Sequence, residues 1–328
     1  MNSAQSQAQP HPQLLQKSAI LAFLSRLPGA VYLLILMSII LTISTPEFFT
    51  FANFTNIALQ VAVLCIVAFG MTMVILTEGI DLSLGPVLGL CGVVMAMMVV
   101  AGWPLIIALF VALLIGATFG AVNGALVSYV EMPPFVVTLG AFGIAQSIAM
   151  VLTGGNSVTG LPDYVRLFND GVFLGLPVPL WATAACFALT YVLLYHTKFG
   201  RYTFAIGGNR RALILSGSPA KRYQVLVYVY AGSLAALASF IMTARMNAAH
   251  PTIGVGLEFD AIAAVILGGT SFEKGRGGIV GTVMGALAVG VLRNGLNLMG
   301  VSTEWQVAVV GIVIILAVSL DSLRGHNQ

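Results

Sequence analysis

The sequence predicts an all-α, polytopic membrane protein of about ten transmembrane helices with an inverted five-plus-five repeat. Three observations carry that expectation. The 328-residue chain is 59% hydrophobic and only 8% charged, against about 25% charged in soluble domains, and its mean hydropathy is +0.99. Its apolar residues gather into runs close to the roughly 20 residues that cross a hydrocarbon core. Two of these runs, one in each half, open with the same pattern of glycine and carboxylate. A water-soluble core cannot absorb this much apolar surface at this length, so the bilayer is the solvent. Nucleic-acid binding is excluded, because charge is confined to loops and no basic face interleaved with aromatics exists.

Residues 1–26 are polar and lack the positive start and cleavage site of a secretory signal. They read as a disordered cytosolic tail, followed by a transmembrane portion over 27–322 and a second cytosolic tail over 323–328. The first span covers about 27–45 and stops at Pro46. The second covers about 57–77 and breaks at the segment 78–85. A third, about 86–101, turns at Gly102-Trp103-Pro104 into a fourth over about 105–130. That one ends at Glu131-Met132-Pro133-Pro134, and a fifth runs over about 135–152. The segment 153–179, rich in Gly, Pro, Asn and Asp, reads as an extramembrane loop. It closes the first half, 27–179, and the second half is 180–322. The sixth span, about 180–195, leads into a basic loop over 196–223. The seventh covers about 224–243 and ends in a polar break over 244–256. The eighth, 257–268, is short or re-entrant. After a loop over 269–278 come the ninth, about 279–299, and the tenth, about 307–320.

Ten spans put both termini on one side, and the positive-inside rule names the side. With the N-terminus inside, Lys17, Arg26, Lys198, Arg201, Arg210, Arg211, Lys221, Arg222, Lys274, Arg276 and Arg324 are cytosolic. Only Arg166, Arg245 and Arg293 remain outside, a balance of 11 to 3.

The halves resemble each other. Gly79-Ile80-Asp81-Leu82-Ser83 aligns with Gly256-Leu257-Glu258-Phe259-Asp260. Gly116, Gly120 and Gly124 on the fourth span answer Gly277, Gly281 and Gly285 on the ninth, and Asn123-Gly124 answers Asn294-Gly295. An inverted repeat of this kind is common in transporters. The glycine rows let helices approach closely within one subunit, since lipid offers no hydrophobic drive for packing.

A carboxylate at membrane depth costs roughly 2.5–3.5 kcal/mol even on the lenient scale. Asp81, Glu258 and Asp260 therefore face a cavity, a partner or water, or else cap helix starts in the headgroup zone. Both accounts stay open for Asp81, while Asp260, set inside an apolar run, favours a functional role. Cys65, Cys91 and Cys186 sit in apolar runs without metal-ligand spacing and read as small hydrophobes. His11 and His326 lie in tails, and His196 and His250 at loop edges, so mid-span proton relays are not in evidence. No GxxxxGK[ST] phosphate loop, HExxH or Ser/His/Asp set is present. The chain is thus expected to be no enzyme, to bind no metal or cofactor itself, and to draw energy from another protein.

The basic loop holds six of the 14 Lys and Arg residues. Within it, Asn209 to Gly217 suits a short helix with an Asn N-cap and a Gly stop, with Ala212, Leu213 and Leu215 as an apolar face. Topogenic charge on a surface-lying helix explains the basic residues. A docking element for a soluble partner also explains the flanking Gly207, Gly208 and Gly217. In this reading Lys198, Arg201, Lys221 and Arg222 mostly fix topology.

Longer motifs then carry a resemblance. GIDLSLG at 79–85, PPFVVTLG at 133–140, FGRYTFAIGGN at 199–209, LEFDAIAAVILGGTSFEKGRGGIVGT at 257–282 and GVLRNGLNLMGV at 290–301 make the chain similar to permease subunits of ribose-type ABC importers. The resemblance covers about 45–320. It implies a pore of two permease subunits (two copies, or this chain and a paralogue) in the bacterial inner membrane. It further implies a cytosolic ATPase with two fused nucleotide-binding domains that binds the ATP and Mg, and a periplasmic sugar-binding protein. It places the ATPase coupling loop at Gly207, Gly208, Asn209, Arg210, Arg211, Ala212, Leu213 and Gly217. The translocation path or its structural acidic breaks are expected at Glu78, Asp81, Ser83, Asn123, Phe135, Thr138, Glu258 and Asp260. The expected activity is inward movement of a monosaccharide or related polyol by alternating access. The alternative from the residues alone is a stand-alone channel or ion-coupled carrier. Two departures stand out. The family usually has Gly where this chain has Glu78, which is expected to set a carboxylate beside Asp81, and SGS at 216–218 replaces the more usual SGI.

Overall fold

A computed structural model describes residues 29–272 and 275–325. The tail over 1–26 with Lys17 and Arg26, the loop residue Lys274, and His326 lie outside the described residues. So do 326–328, whereas the backbone of 323–325 continues the last helix.

Twelve helices are described. They are α1 (Gly29–Ser44), α2 (Phe51–Leu76), α3 (Leu84–Val100), α4 (Leu105–Ser128), α5 (Pro134–Thr153), α6 (Asp163–Asp170), α7 (Val178–His196), α8 (Lys198–Leu215), α9 (Ala220–Met246), α10 (Leu257–Leu267), α11 (Ile279–Leu298) and α12 (Thr303–Gly325). Six of them, α2, α4, α5, α7, α9 and α11, are long and apolar enough to cross a membrane, and α1, α3 and α12 contain shorter apolar stretches. With the 11-residue α10, these stand where the ten spans are expected. α2 starts six residues earlier than the hydropathy run at 57, because Thr50 Oγ1 accepts from the Asn53 N–H (3.3 Å) and caps it there.

Two expectations need correction. The segment 153–179 is not a plain loop: it holds α6 and a two-stranded antiparallel hairpin, β1 (Val172–Phe173) and β2 (Leu176–Pro177). The basic loop is mostly helix, since α8 covers 18 residues and is broken only at Asn209.

α2 and α9 form the centre. Every residue of α2 from Val61 to Leu76 is buried, as expected for a helix apolar on all sides. α4, α5 and α7 lie at the periphery, with most of their surface facing outward. The contacts repeat between halves: α3 packs on α4, α5 and α9, and α10 packs on α11, α12 and α2. On α4 the glycine row serves helix packing as expected. A Cβ at Gly116 would run into the Gly232 carbonyl of α9, and one at Gly120 into the Tyr228 carbonyl. The second row differs. Gly281 and Gly285 press on Gly268 and Ala264 at the end of α10, and Gly277 precedes α11 altogether. Cys65 and Cys91 are buried as expected, while Cys186 is half-exposed.

Candidate functional site

Two polar regions interrupt the apolar body. The first is central, where the breaks before α3 and before α10 meet. Gly85 and Gly254 touch backbone to backbone, so a Cβ on either would run into the other's carbonyl oxygen. Residues about 170 positions apart (85 and 254) thus form one junction.

On the α3 side, Asp81 is 1% exposed. Its Oδ1 accepts from the Ser83 N–H (2.9 Å) and the Ser83 hydroxyl (2.6 Å). Asn123 on α4 donates to that hydroxyl at 2.9 Å. Thr138 on α5 donates to the Ile80 carbonyl at 3.1 Å. The structure therefore brings Asp81, Ser83, Asn123 and Thr138 together. The carboxylate turns inward onto Ser83, the residue that precedes α3, and is closed off from solvent; no side chain caps the first N–H groups of α3. Phe135 stands apart on the outer face of α5, exposed.

Glu78 is not part of this cluster. It is exposed and adopts φ 60, in the left-handed region. Glycine meets that conformation without a side-chain penalty, which accounts for Gly being usual there. The expected extra carboxylate beside Asp81 is instead a surface side chain on a strained turn.

On the α10 side, Gly256 takes φ 96 and its N–H donates to Glu258 Oε1 at 3.0 Å. Glu258 is fully buried, its Oε2 has no hydrogen-bond partner, and that atom lies against Gly85. Asp260 is held by Arg293 of α11: Nη2 donates to Oδ1 at 2.7 Å, and Nε lies 2.6 Å from Oδ2. Arg293 thus belongs to the junction as well as to the orientation count. One residue on, Asn294 and Asn53 exchange two amide hydrogen bonds of 2.8 and 3.1 Å between α11 and α2. Neither pairing is indicated by the sequence alone, although a lone arginine within a span calls for an acidic partner.

The second region is α8. Asn209 leaves the helical region (φ −164, ψ 86), and its Oδ1 accepts from the Ala212 N–H at 2.8 Å. This is the expected Asn N-cap, and it restarts the helix in a new direction. Gly217 takes φ 76, and the Ser218 N–H closes back on the Leu213 carbonyl at 3.3 Å, the glycine stop of a helix C-terminus. Gly207 is buried, and a Cβ there would collide with the Leu76 carbonyl and with Gly275. It seats α8 on the end of α2, whereas Gly208 is exposed.

Arg210 and Arg211 separate in role. Arg210 donates to Gln224 Oε1 of α9 (3.1 Å) and to the Ser128 carbonyl of α4 (3.0 Å). It also lies 4.0 Å from Glu131, which Lys221 approaches to 3.1 Å. Lys221 first, and Arg210 behind it, hold the Glu131 carboxyl below its ordinary range. Lys221 therefore makes a defined contact, beyond the topological role expected of it. Arg211, Ala212 and Leu215 are exposed and face away from the body, whereas Leu213 is half-buried against it.

The family model described as branched-chain amino acid transport system / permease component matches residues 53–318. The ribose import permease RbsC of Bacillus subtilis is 47% identical over 290 residues, 88% of this chain and 90% of its own. RbsC of Escherichia coli K12 is 44% identical over 307 residues, 92% and 95% respectively. The D-allose transport system permease AlsC of Escherichia coli K12 is 38% identical over 298 residues, 90% and 91%. No solved structure matches the chain. A family model covering residues 53–318, and relatives matched over nine-tenths of their own length, place the chain in this family of transport-system permease components.

Proposed function

We propose that the chain is the multi-pass permease subunit of an ATP-driven importer that moves a monosaccharide or related polyol from periplasm to cytoplasm by alternating access. The family description names branched-chain amino acids, but the relatives above carry the names of ribose and D-allose. That favours sugar. Two permease subunits, copies or paralogues, form the pore in the inner membrane, with both termini cytoplasmic. A cytosolic ATPase with two fused nucleotide-binding domains binds ATP and Mg, and a periplasmic sugar-binding protein delivers the substrate. The halves 27–179 and 180–322 move against each other about the central junction.

The observation that carries the energy-coupling part is the outward-facing second half of α8. Arg210 ties this helix to α4 and α9, while Leu215 is 81% exposed. An apolar, basic helix facing water and fixed to two spans is suited to receive a partner and transmit its push. The test is uptake of labelled ribose by cells carrying this chain with its ATPase and binding protein. Accumulation that requires both supports the reading. Accumulation without the ATPase would favour the stand-alone carrier, and no ribose uptake with competing allose uptake would redirect the substrate.

A further inference from the structure

An apolar cavity of about 610 Å³ opens between α2, α4, α6, α7 and α9. Ile66, Ile106, Phe110, Phe168, Cys186 and Phe240 are among its lining residues, and all of its lining side chains are apolar. The internal repeat shows why it exists. α1, α2 and α11 in one set of helices correspond to α7, α9 and α4 in the other. α1 packs directly on α11, with Leu41 seated against Gly295, and only a smaller groove of about 390 Å³ is left there. α7 instead packs on α2, α6 and α8 and does not close on α4. The gap it leaves is the larger cavity.

Its surroundings identify the occupant. The walls are the peripheral faces of α4 and α7, continuous with exposed Ile106 and Phe110, which belong to hydrocarbon in a spanning helix. At one end, Phe168 of α6 packs on Phe240 of α9 with ring centroids 4.6 Å apart. The β1–β2 hairpin that follows is apolar outward, and its tip residue Leu174 is 76% exposed at φ 49. Asn or Gly is the usual choice at such a turn position. A bulky apolar residue held there in an unfavourable backbone conformation points to a role for the tip itself. Trp181, at the start of α7, donates its indole N–H to the Phe173 carbonyl at 2.9 Å. Its half-apolar ring suits the zone where headgroups meet acyl chains.

We propose that the cavity seats one acyl chain of a bilayer phospholipid. The segment 163–177 lies in the headgroup zone above it, with Leu174 inserted among the lipids. The bilayer meets both the apolar cavity and the apolar hairpin. The proposal holds whichever solute the chain carries.

The test uses the full chain purified in mild detergent, with bound phospholipid counted by native mass spectrometry. Ala182→Phe fills the cavity from α7 and is expected to retain one phospholipid fewer than wild type. Ile315→Phe, on an exposed face of α12, is expected to retain the same number. Equal counts in wild type and Ala182→Phe overturn the proposal. A second measurement needs no variant. Cys186 lines the cavity while Cys65 and Cys91 are buried, so alkylation by N-phenylmaleimide reports on Cys186. Adding phosphatidylethanolamine to delipidated protein is expected to slow it severalfold, and an unchanged rate overturns the proposal. Leu174→Asp is expected to weaken lipid retention and leave binding-protein affinity intact. The reverse pattern would assign the hairpin to the protein partner and overturn its part in the lipid site.

Discussion

Arg293 on α11 grips Asp260 in the first turn of α10 through two contacts, of 2.7 and 2.6 Å. The pair is mostly buried, with side-chain exposures of 16% and 6%. It fastens an 11-residue helix, too short to cross a bilayer alone, to a full-length span. The single Nη2–Oδ1 hydrogen bond is charge-assisted, and the close approach of Nε to Oδ2 adds ionic contact rather than a second hydrogen bond.

Removing one partner leaves the other charge buried. Asp260→Asn and Arg293→Gln are each expected to destabilise the protein by about 3–5 kcal/mol, seen as a lowered thermal midpoint in detergent and reduced uptake. The double change Asp260→Leu with Arg293→Met removes both charges and is expected to recover much of that stability. Wild-type midpoints and transport kinetics in Asp260→Asn would mean that the pair contributes nothing.

Charge reversal on α8 is expected to split by position. Arg211 is exposed, so Arg211→Glu is expected to insert and fold normally and to lower sugar-stimulated ATPase activity of the assembled transporter. Arg210→Glu removes the donors to Gln224 and the Ser128 carbonyl and sets a second carboxylate near Glu131. It is expected to lose folded protein, at a cost of about 2 kcal/mol for the stranded buried acceptors. Limited proteolysis of the two variants separates the cases. If Arg211→Glu retains full coupling, α8 is not where the partner acts.

Glu78 sits exposed at φ 60. Glu78→Gly relieves the left-handed backbone but gives up a contact of the side chain, so the thermal midpoint is expected to change little. The Asp81 cluster does not use this side chain, so the sugar preference is expected to stay unchanged. A shift in substrate selectivity, read by competition between ribose and allose uptake, would return Glu78 to the transport path.

The spans were legible because hydrocarbon imposes a composition on every residue of a run, and the turns between them carry Gly and Pro. The Asn209 cap and the Gly217 stop were legible for the same local reason. The junction was not. Gly85 and Gly254 meet across about 170 residues, and nothing near either one announces the other. Asp260 was visible as a costly carboxylate, but its partner was hidden because Arg293 also fits an orientation count. The segment 153–179 read as a loop because α6 has only eight residues and β1 and β2 have two each, below the length at which periodicity becomes a signal. Glu78 was misplaced because its spacing from Asp81 suggests neighbours, whereas the positive φ turns it outward.

The crossing of α4 and α9 makes a sharp test of the packing. Gly120 of α4 faces the Tyr228 backbone of α9, and a Cβ there would meet the Tyr228 carbonyl oxygen, the Tyr228 carbonyl carbon and Val229 Cα. These are backbone atoms of a central helix, so no side-chain rotation relieves the clash. The two helices must separate, and Gly116 and Gly124 on the same face lose their contacts with α9 together. Gly120→Ala is therefore expected to cost about 2–3 kcal/mol, at the upper part of the range for overpacking, despite adding one methyl group. Gly140 of α5 has nothing within 4 Å of its would-be Cβ, so Gly140→Ala is expected to be neutral or mildly stabilising through helix propensity. Thermal unfolding of the two variants side by side checks the pair. Equal midpoints would mean that α4 and α9 do not approach this closely in the membrane.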